Sequence, residues 1–338
     1  MQSLSVKYRP QTFEEVEAQD FVKTILKNQI INKSFSHAYL FSGKTGSGKT
    51  TSARIFANMI NNGCGSPIEI DAASNNGVDN IRAIVNDASS RSLTSEYKIY
   101  VIDEAHSLTN QSWQALLKTI EEPPEYTIFI FCTTELNKVP KTIINRCQKY
   151  EFNAIPVSNI LNRLKYICEQ EHFTNYIESI DYISKISDGS MRDAISKLDK
   201  VASYSTELNI DNTISILGGF SYQLLFGLTN AILDQDEITV HQIVDYCCST
   251  GIDWKSFATT LLNFYIDVEK YILFSDMSLT RIPFNYVDDL KNIINLDEPK
   301  RYYDCLIDRT NELKNEIKND STPDITTRVA LLRMSRWQ

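Results

Sequence analysis

No C-x-x-C pair occurs among the seven cysteines, Cys64, Cys132, Cys147, Cys168, Cys247, Cys248 and Cys305. Their number is odd, which argues against a disulfide framework and a cysteine-rich zinc site and predicts a reducing cytoplasm. A basic surplus is missing too: 34 Lys and Arg stand against 43 Asp and Glu, a net charge of −9. Nucleic-acid binders ordinarily show the opposite balance. Any DNA contact must therefore be local, on one face or channel, or pooled from several subunits; plain solubility is the other reading of the acidity. The longest apolar runs have only strand length, so no membrane span is expected. The N-terminus carries Arg9-Pro10 and acidic residues where a signal peptide has its apolar core. Internal repeats and low-complexity segments are absent.

The 338 residues are 42% hydrophobic and 23% charged, enough for two or three domains with real cores. In the first half, short β-rich runs alternate with amphipathic segments. The runs are "AYLFSG" (38–43), "IEIDAA" (68–73), "KIYVIDE" (98–104) and "TIFIFCTT" (127–134); the segments are 49–61, 78–90 and 110–121. This alternation predicts a parallel sheet covered on both faces, with its strands ending around Glu151–Pro156. From Val157 onward the apolar spacing is helical. Asp188-Gly189-Ser190 marks a stop and restart, "TELNIDNT" (206–213) reads as a polar linker, and breaks fall near Gly251 and Asp297-Glu298-Pro299. The expected layout is an α/β nucleotide-binding domain (1–155), a small helical domain (156–205) and a larger helical domain (206–338).

Gly43-Lys44-Thr45-Gly46-Ser47-Gly48-Lys49-Thr50 fits the phosphate-loop pattern G-x-x-x-x-G-K-[ST], after a predicted strand and before a predicted helix. Such a loop turns backbone N–H groups and a positive helix end toward phosphate oxygens. Lys49 then reaches the β- and γ-phosphates and the Thr50 hydroxyl ligates Mg²⁺. Asp103 ends a buried strand, where a carboxylate can hold the metal through water. Glu104 beside it can orient or deprotonate an attacking water; its bland alternative is a helix-start carboxylate. The letters "DEAH" (103–106) invite a helicase reading with His106 in its signature. That reading needs a second α/β motor domain, and the residues after Tyr150 read helical; His106 is then an ordinary helix-start residue.

Three further residues gain meaning only together. Thr133 and Thr134 end the run "IFIFCTT", where a polar tip can sense a γ-phosphate or simply cap a turn. Arg146 in "IINRC" is either a surface charge or an arginine finger for a neighbour's nucleotide. Arg192 in "GSMRDA" folds onto the phosphates, or pairs with Asp193 or Asp188.

"KYRPQTFEEV" (7–16), "HAYLFSGKTGSGKTTSARIFA" (37–57), "EIDAASNNGVDNIR" (69–82), "YVIDEAHSLTNQSWQALLKTIEEPPE" (100–125), "TTELNKVPKTIINRC" (133–147) and "DGSMRDAISKLDK" (188–200) together resemble the AAA+ clamp-loader ATPases, specifically the bacterial DNA polymerase III gamma/tau subunits. The match is sharp over the first two hundred residues. Beyond them it is one of length and helical character, as for an oligomerising collar. The resemblance implies an α/β P-loop (AAA+) fold followed by a helical lid and an all-α collar. It makes Lys49 and Thr50 the Walker A pair, Asp103 and Glu104 the Walker B pair, Thr134 the sensor-1 residue and Arg192 the sensor-2 arginine. Arg146 becomes the trans-acting finger, with Asn145 where the family usually has Ser. Tyr8, Arg9 and Pro10 lie by the adenine and ribose, and the nucleotide site runs through Gly43, Thr45, Gly46, Ser47, Gly48, Lys49, Thr50 and Thr51.

The same resemblance implies ATP and Mg²⁺ as ligands. Its partners are other clamp-loader subunits in a homo- or hetero-oligomer, a pentamer by expectation, with a sliding clamp and primer-template DNA. ATP binding opens the clamp and hydrolysis releases it. The alternatives are a DEAH-type helicase and a non-hydrolysing structural subunit, which generally loses its phosphate loop. Asn75, Asn76 and Gly77 are DNA candidates against a plain capped turn. Leu93, within 85–93, is a clamp candidate against a buried core residue. Two departures stand out: Cys64 alone remains of a four-cysteine zinc module, so no zinc is expected, and Ala18 replaces a usual glycine. The chain stops at Gln338, after the expected collar, with no further extension. This compact form suggests a bacteriophage protein, or one from an unusual bacterium.

Overall fold

The computed structural model describes residues 2–336. The outer limits of the first and third expected domains, Met1 and Gln338, lie outside them, as does the expected chain end. The chain forms two compact units. One is the chain up to Ile167 together with Ser187–Asp199. The other is Cys168–Ile186 with the described residues from Lys200 onward. The helical stretch expected at 156–205 is thus shared between the two units.

The first unit holds α1 (Leu4–Lys7), α2 (Asp20–Ile31), β1 (Ala38–Gly43), α3 (Lys49–Ile60), β2 (Ile68–Asp71), α4 (Val78–Ala88), β3 (Lys98–Asp103), α5 (Asn110–Glu121), β4 (Thr127–Thr133), α6 (Lys141–Ile144) and β5 (Gln148–Phe152). Helices α7 (Val157–Gln170), α8 (Ile177–Lys185) and α9 (Met191–Ala202) follow. The break between α8 and α9 contains Asp188 and Gly189 at positive φ, as the local sequence predicts. All strands are parallel in the order β2-β3-β4-β1-β5. Side chains alternate across the sheet because successive Cβ atoms point to opposite faces. Tyr39 and Phe41 of β1 join Phe56 of α3 and Leu26 of α2 on one face; Leu40 joins Phe131, Trp113 of α5 and Ile81 of α4 on the other. Both faces are covered, so strands β1, β3 and β4 read as continuous apolar runs.

β5 is not one of the four β-rich runs, although it ends where the strands are expected to stop, around Glu151–Pro156. Its sequence, Gln148-Lys149-Tyr150-Glu151-Phe152, buries only Tyr150 and Phe152, the alternation of an edge strand. It pairs with β1 from Tyr39↔Gln148 to Gly43↔Phe152. Among the described residues the strands make one sheet, which leaves the helicase reading without its second motor domain.

The second unit is helical: α8, α10 (Ile210–Ile216), α11 (Tyr222–Leu233), α12 (Glu237–Ser249), α13 (Trp254–Phe274), α14 (Val287–Ile293), α15 (Pro299–Glu316) and α16 (Pro323–Ser335). The breaks expected near Gly251 and Pro299 fall between α12 and α13 and between α14 and α15. Its core centres on Leu228, Leu261, Tyr265, Tyr303 and Leu331. The expected linker at 206–213 is instead structured. Asn209 caps α10 by accepting from the Asp211 N–H, and Leu208 and Ile210 are buried. Ser179 donates to the Leu208 carbonyl at 2.8 Å. The polar letters were cap and turn residues around two core side chains. No described helix is long and apolar enough to cross a membrane.

Candidate nucleotide-binding site

The carboxyl ends of β1 and β3 and the start of α3 converge on one cavity of about 380 Å³. The loop between β1 and α3 folds around its own lysine. Lys49 Nζ donates to the Gly43 and Lys44 carbonyls, each at 2.8 Å. Burial pushes its pKa below the ordinary lysine value. Thr50 Oγ1 donates to Asp103 Oδ2 at 2.9 Å, so α3 and β3 meet where a cation belongs. The Glu104 N–H donates to the other Asp103 oxygen at 3.0 Å.

Glu104 adopts φ 47°, ψ 43°, left-handed for a residue with a Cβ. That strain, about 1 kcal/mol or more, is tolerated where the surroundings fix the backbone. Its carboxylate lies 3.4 Å from the Thr134 hydroxyl and 3.3 Å from His106 Nδ1. Thr134 therefore reaches the cavity through Glu104. His106, read from sequence as an ordinary helix-start residue, sits in a 3₁₀ turn (Ala105–Ser107) with its ring turned into this network, 3.2 Å from Thr133 Oγ1.

Thr45, Gly46, Ser47, Gly48, Thr51, Tyr8, Arg9, Pro10 and Arg192 also line the cavity. Gly46 is where the loop meets the start of α9. It sits at φ 72°, and a Cβ there would fall 2.0 Å from Ser190 Oγ. The Met191 N–H donates to the Gly46 carbonyl at 3.1 Å. Arg192 follows at once and faces the same cavity, while Asp193 pairs with Lys197. Burial and the nearby Arg54 guanidinium push the Arg9 pKa down.

Sequence reasoning missed Arg54 and Arg163. Arg54 lines the cavity and pairs with Glu69. Arg163 donates to the Tyr8 carbonyl at 2.8 Å and lies over the Tyr166 ring, which fastens the N-terminal strip to α7. An arginine on an amphipathic helix has no local signature of such a role. Ala18 and Gln19 both take left-handed φ, 56° and 58°, the conformation a glycine adopts freely. The turn aims the Gln19 amide at the Ser47 and Asn153 carbonyls, at 3.3 and 2.7 Å.

Arg146 is not among the cavity's lining residues. It donates to the Thr142 carbonyl at 2.7 Å and pairs with Glu121 at 2.6 Å. Asn76 accepts from Ser112 Oγ at 2.7 Å, and Gly77 precedes α4 without a side-chain cap. Leu93 is 103% exposed, which removes the buried alternative. Cys64 is exposed, and no group of three potential metal ligands from His, Cys, Asp and Glu gathers among the described residues. The donor set at Thr50 and Asp103, one hydroxyl and one carboxylate, suits a hard cation that retains most of its waters. A buried ammonium beside a glycine-rich turn suits a phosphate chain. These residues fit Mg²⁺ and a nucleoside triphosphate.

Fold and site together define a P-loop protein of the AAA+ class. Solved structures of the Holliday-junction branch-migration motor RuvB from Thermotoga maritima share this fold, with a TM-score of 0.52 at 18% identity over 73% of this chain and 86% of that one. A family model described as DNA polymerase III, delta subunit, matches residues 66–156. The DNA polymerase III subunit gamma of Buchnera aphidicola subsp. Acyrthosiphon pisum is 34% identical over 78% of this chain and 79% of its own length. The tau subunit of Bacillus subtilis is 34% identical over 98% of this chain. The chain belongs to the DNA polymerase III gamma/tau family. It spans 63% of the Bacillus subtilis protein and 55% of the gamma/tau subunit of Mycoplasma genitalium.

Proposed function

We propose that the chain is the ATP-hydrolysing subunit of a sliding-clamp loader. The observation that carries this reading is the Thr50–Asp103 hydrogen bond beside the buried Lys49, with Glu104 next in sequence. A subunit that only bound nucleotide has no need of that second carboxylate. Backbone N–H groups of residues 43–50 and Lys49 hold the phosphates, Thr50 and Asp103 hold Mg²⁺, and Arg192 closes over them from α9. Mg²⁺, when bound, offsets charge on the phosphate oxygens. Glu104 accepts the proton of the attacking water at its carboxylate, and Thr134 holds that carboxylate. Tyr8, Arg9 and Pro10 flank the base and ribose. Arg146 serves the nucleotide of the next subunit, which ties hydrolysis to assembly.

In this reading residues 156–205 act as a lid and 206–338 as a collar that joins subunits, a pentamer by expectation. Nucleotide binding opens the clamp; primer-template DNA completes the geometry for hydrolysis, which releases the clamp. The DNA backbone meets Asn75, Asn76 and Gly77, and exposed Leu93 meets the clamp. The setting is a reducing cytoplasm, supported by the seven free thiols. The lone Cys64 supports a zinc-free protein of bacteriophage or divergent bacterial source.

The test is ATP turnover with and without primed DNA, clamp and partner subunits. Strong synergy is expected, lost by about 10²-fold or more in Arg146→Ala while nucleotide affinity is kept. Full-rate turnover by an isolated chain, indifferent to Arg146→Ala, overturns the reading.

A further inference from the structure

Glu104 is a flexible side chain at a strained backbone position, and a general base works only when aimed. Thr134, at 3.4 Å, is one support. The other is His106, whose Nδ1 lies 3.3 Å from Glu104 Oε2 and 3.2 Å from Thr133 Oγ1. The ring is itself braced. Its Nε2 lies 3.5 Å from Glu135 Oε1. Glu135 in turn is fixed by Lys138 at 2.8 Å and by its own N–H donating to Thr133 Oγ1 at 3.1 Å. The imidazole side chain is 15% exposed and cannot swing freely into solvent. The tip of β4, the strand between β1 and β3 in the sheet, is thereby wired to the carboxylate at the end of β3.

We propose that His106 is a positioning residue for hydrolysis, donating from Nδ1 to Glu104 and holding its carboxylate in the orientation that meets the attacking water. It touches neither nucleotide nor metal; it acts through Glu104, and the inference rests on the function proposed above. Under it, the histidine of "DEAH" is explained by a contact within one motor domain.

The experiment compares the full chain, reconstituted with partner subunits, clamp and primed DNA, as wild type, Glu104→Gln, His106→Ala and His106→Asn. Turnover and nucleotide affinity are measured for each. His106→Ala is expected to lower kcat about tenfold, a part of what a general base supplies, with KM and nucleotide affinity unchanged. His106→Asn, which keeps an N–H where Nδ1 stood, is expected to recover kcat to within about threefold of wild type. If Glu104→Gln abolishes turnover and His106→Ala leaves it untouched, this inference is wrong and the proposed function stands. If His106→Ala loses nucleotide affinity along with kcat and Asn restores neither, the histidine is merely structural and the inference again falls. An inactive wild-type assembly removes the proposed function itself.

Discussion

Replacing Gly46 by alanine tests whether the phosphate loop and the start of α9 are one mechanical unit. Two costs follow from the geometry. At φ 72° an alanine pays the left-handed penalty, about 1–2 kcal/mol. Its Cβ would also fall 2.0 Å from Ser190 Oγ, far inside contact distance. Ser190 Oγ is a short hydroxyl that can rotate away, but it accepts from the Asp193 N–H at 3.3 Å and caps α9. Losing that cap adds about 1 kcal/mol. The expected destabilisation of the first unit is therefore about 2–3 kcal/mol. Trp113 is the single tryptophan in that unit, so urea unfolding followed by its fluorescence, with Trp254 and Trp337 replaced by phenylalanine, reads the unit alone. Ser190→Gly supplies the control. Glycine is nearly as good a cap as serine and removes the clashing hydroxyl. The double variant should recover about 1 kcal/mol relative to the sum of the singles. Strict additivity, or a Gly46→Ala cost below about 1 kcal/mol, refutes the reasoning.

Two other outcomes follow from the same accounting. Asp87 accepts from the buried Tyr100 hydroxyl at 2.6 Å and from Lys98 at 2.7 Å, and these bonds, Lys98's first, hold its pKa below the ordinary 3.8. A lowered carboxylate stabilises the fold fully above pH 3.8 and loses that contribution as pH falls through the folded value. Asp87→Asn should cost about 1 kcal/mol at neutral pH, discounted because the carboxylate is half exposed, and should flatten the acid limb of the urea midpoint against pH; an unchanged limb counts against it. The Arg146–Glu121 pair is likewise half exposed and contributes less than about 1 kcal/mol. Glu121→Ala should leave stability nearly unchanged. On the role proposed for Arg146, it should raise unstimulated turnover of the assembly up to about fivefold by releasing that side chain; a fall in turnover would mean that Glu121 aims Arg146 rather than restrains it.

How far residues announce themselves differs along the chain for physical reasons. The β1–loop–α3 unit is legible because phosphate binding constrains local sequence: glycines at positive φ, a lysine at fixed reach, a hydroxyl one residue on. The stop at Asp188-Gly189 is legible for the same reason, since only a few residue types tolerate that backbone. β5 was illegible because an edge strand needs only two inward side chains, Tyr150 and Phe152, and the rest are polar. The segment 206–213 misled because capping residues and linker residues share a composition, and Leu208 and Ile210 are too few to show a period. Arg163 and His106 escaped on other grounds. The Tyr8 carbonyl that holds Arg163, and the Thr133 and Glu135 that turn the His106 ring back toward nearby Glu104, come together through the fold, and no local spacing encodes them.

The acidity of the chain and its nucleotide cavity are two sides of one charge distribution. The net charge is −9, yet Arg9, Lys49, Arg54, Arg163 and Arg192 all face one cavity, offset by Asp103, Glu104, Glu15 and Glu17 in its lining and by Glu69, which pairs with Arg54. Burial first, then Arg54 and Arg192, push the Arg9 pKa down, while Glu69 and Asp103 act the other way, so repulsion among the guanidinium groups is only partly offset across that space. Burial penalises the Lys49 charge in the same place. Cations held this close repel one another, and a polyanion between them would replace part of that repulsion with attraction. An acidic chain can on that account still hold an anion at one point, while any contact with DNA needs positive charge that is local to one face or channel or is pooled from several subunits.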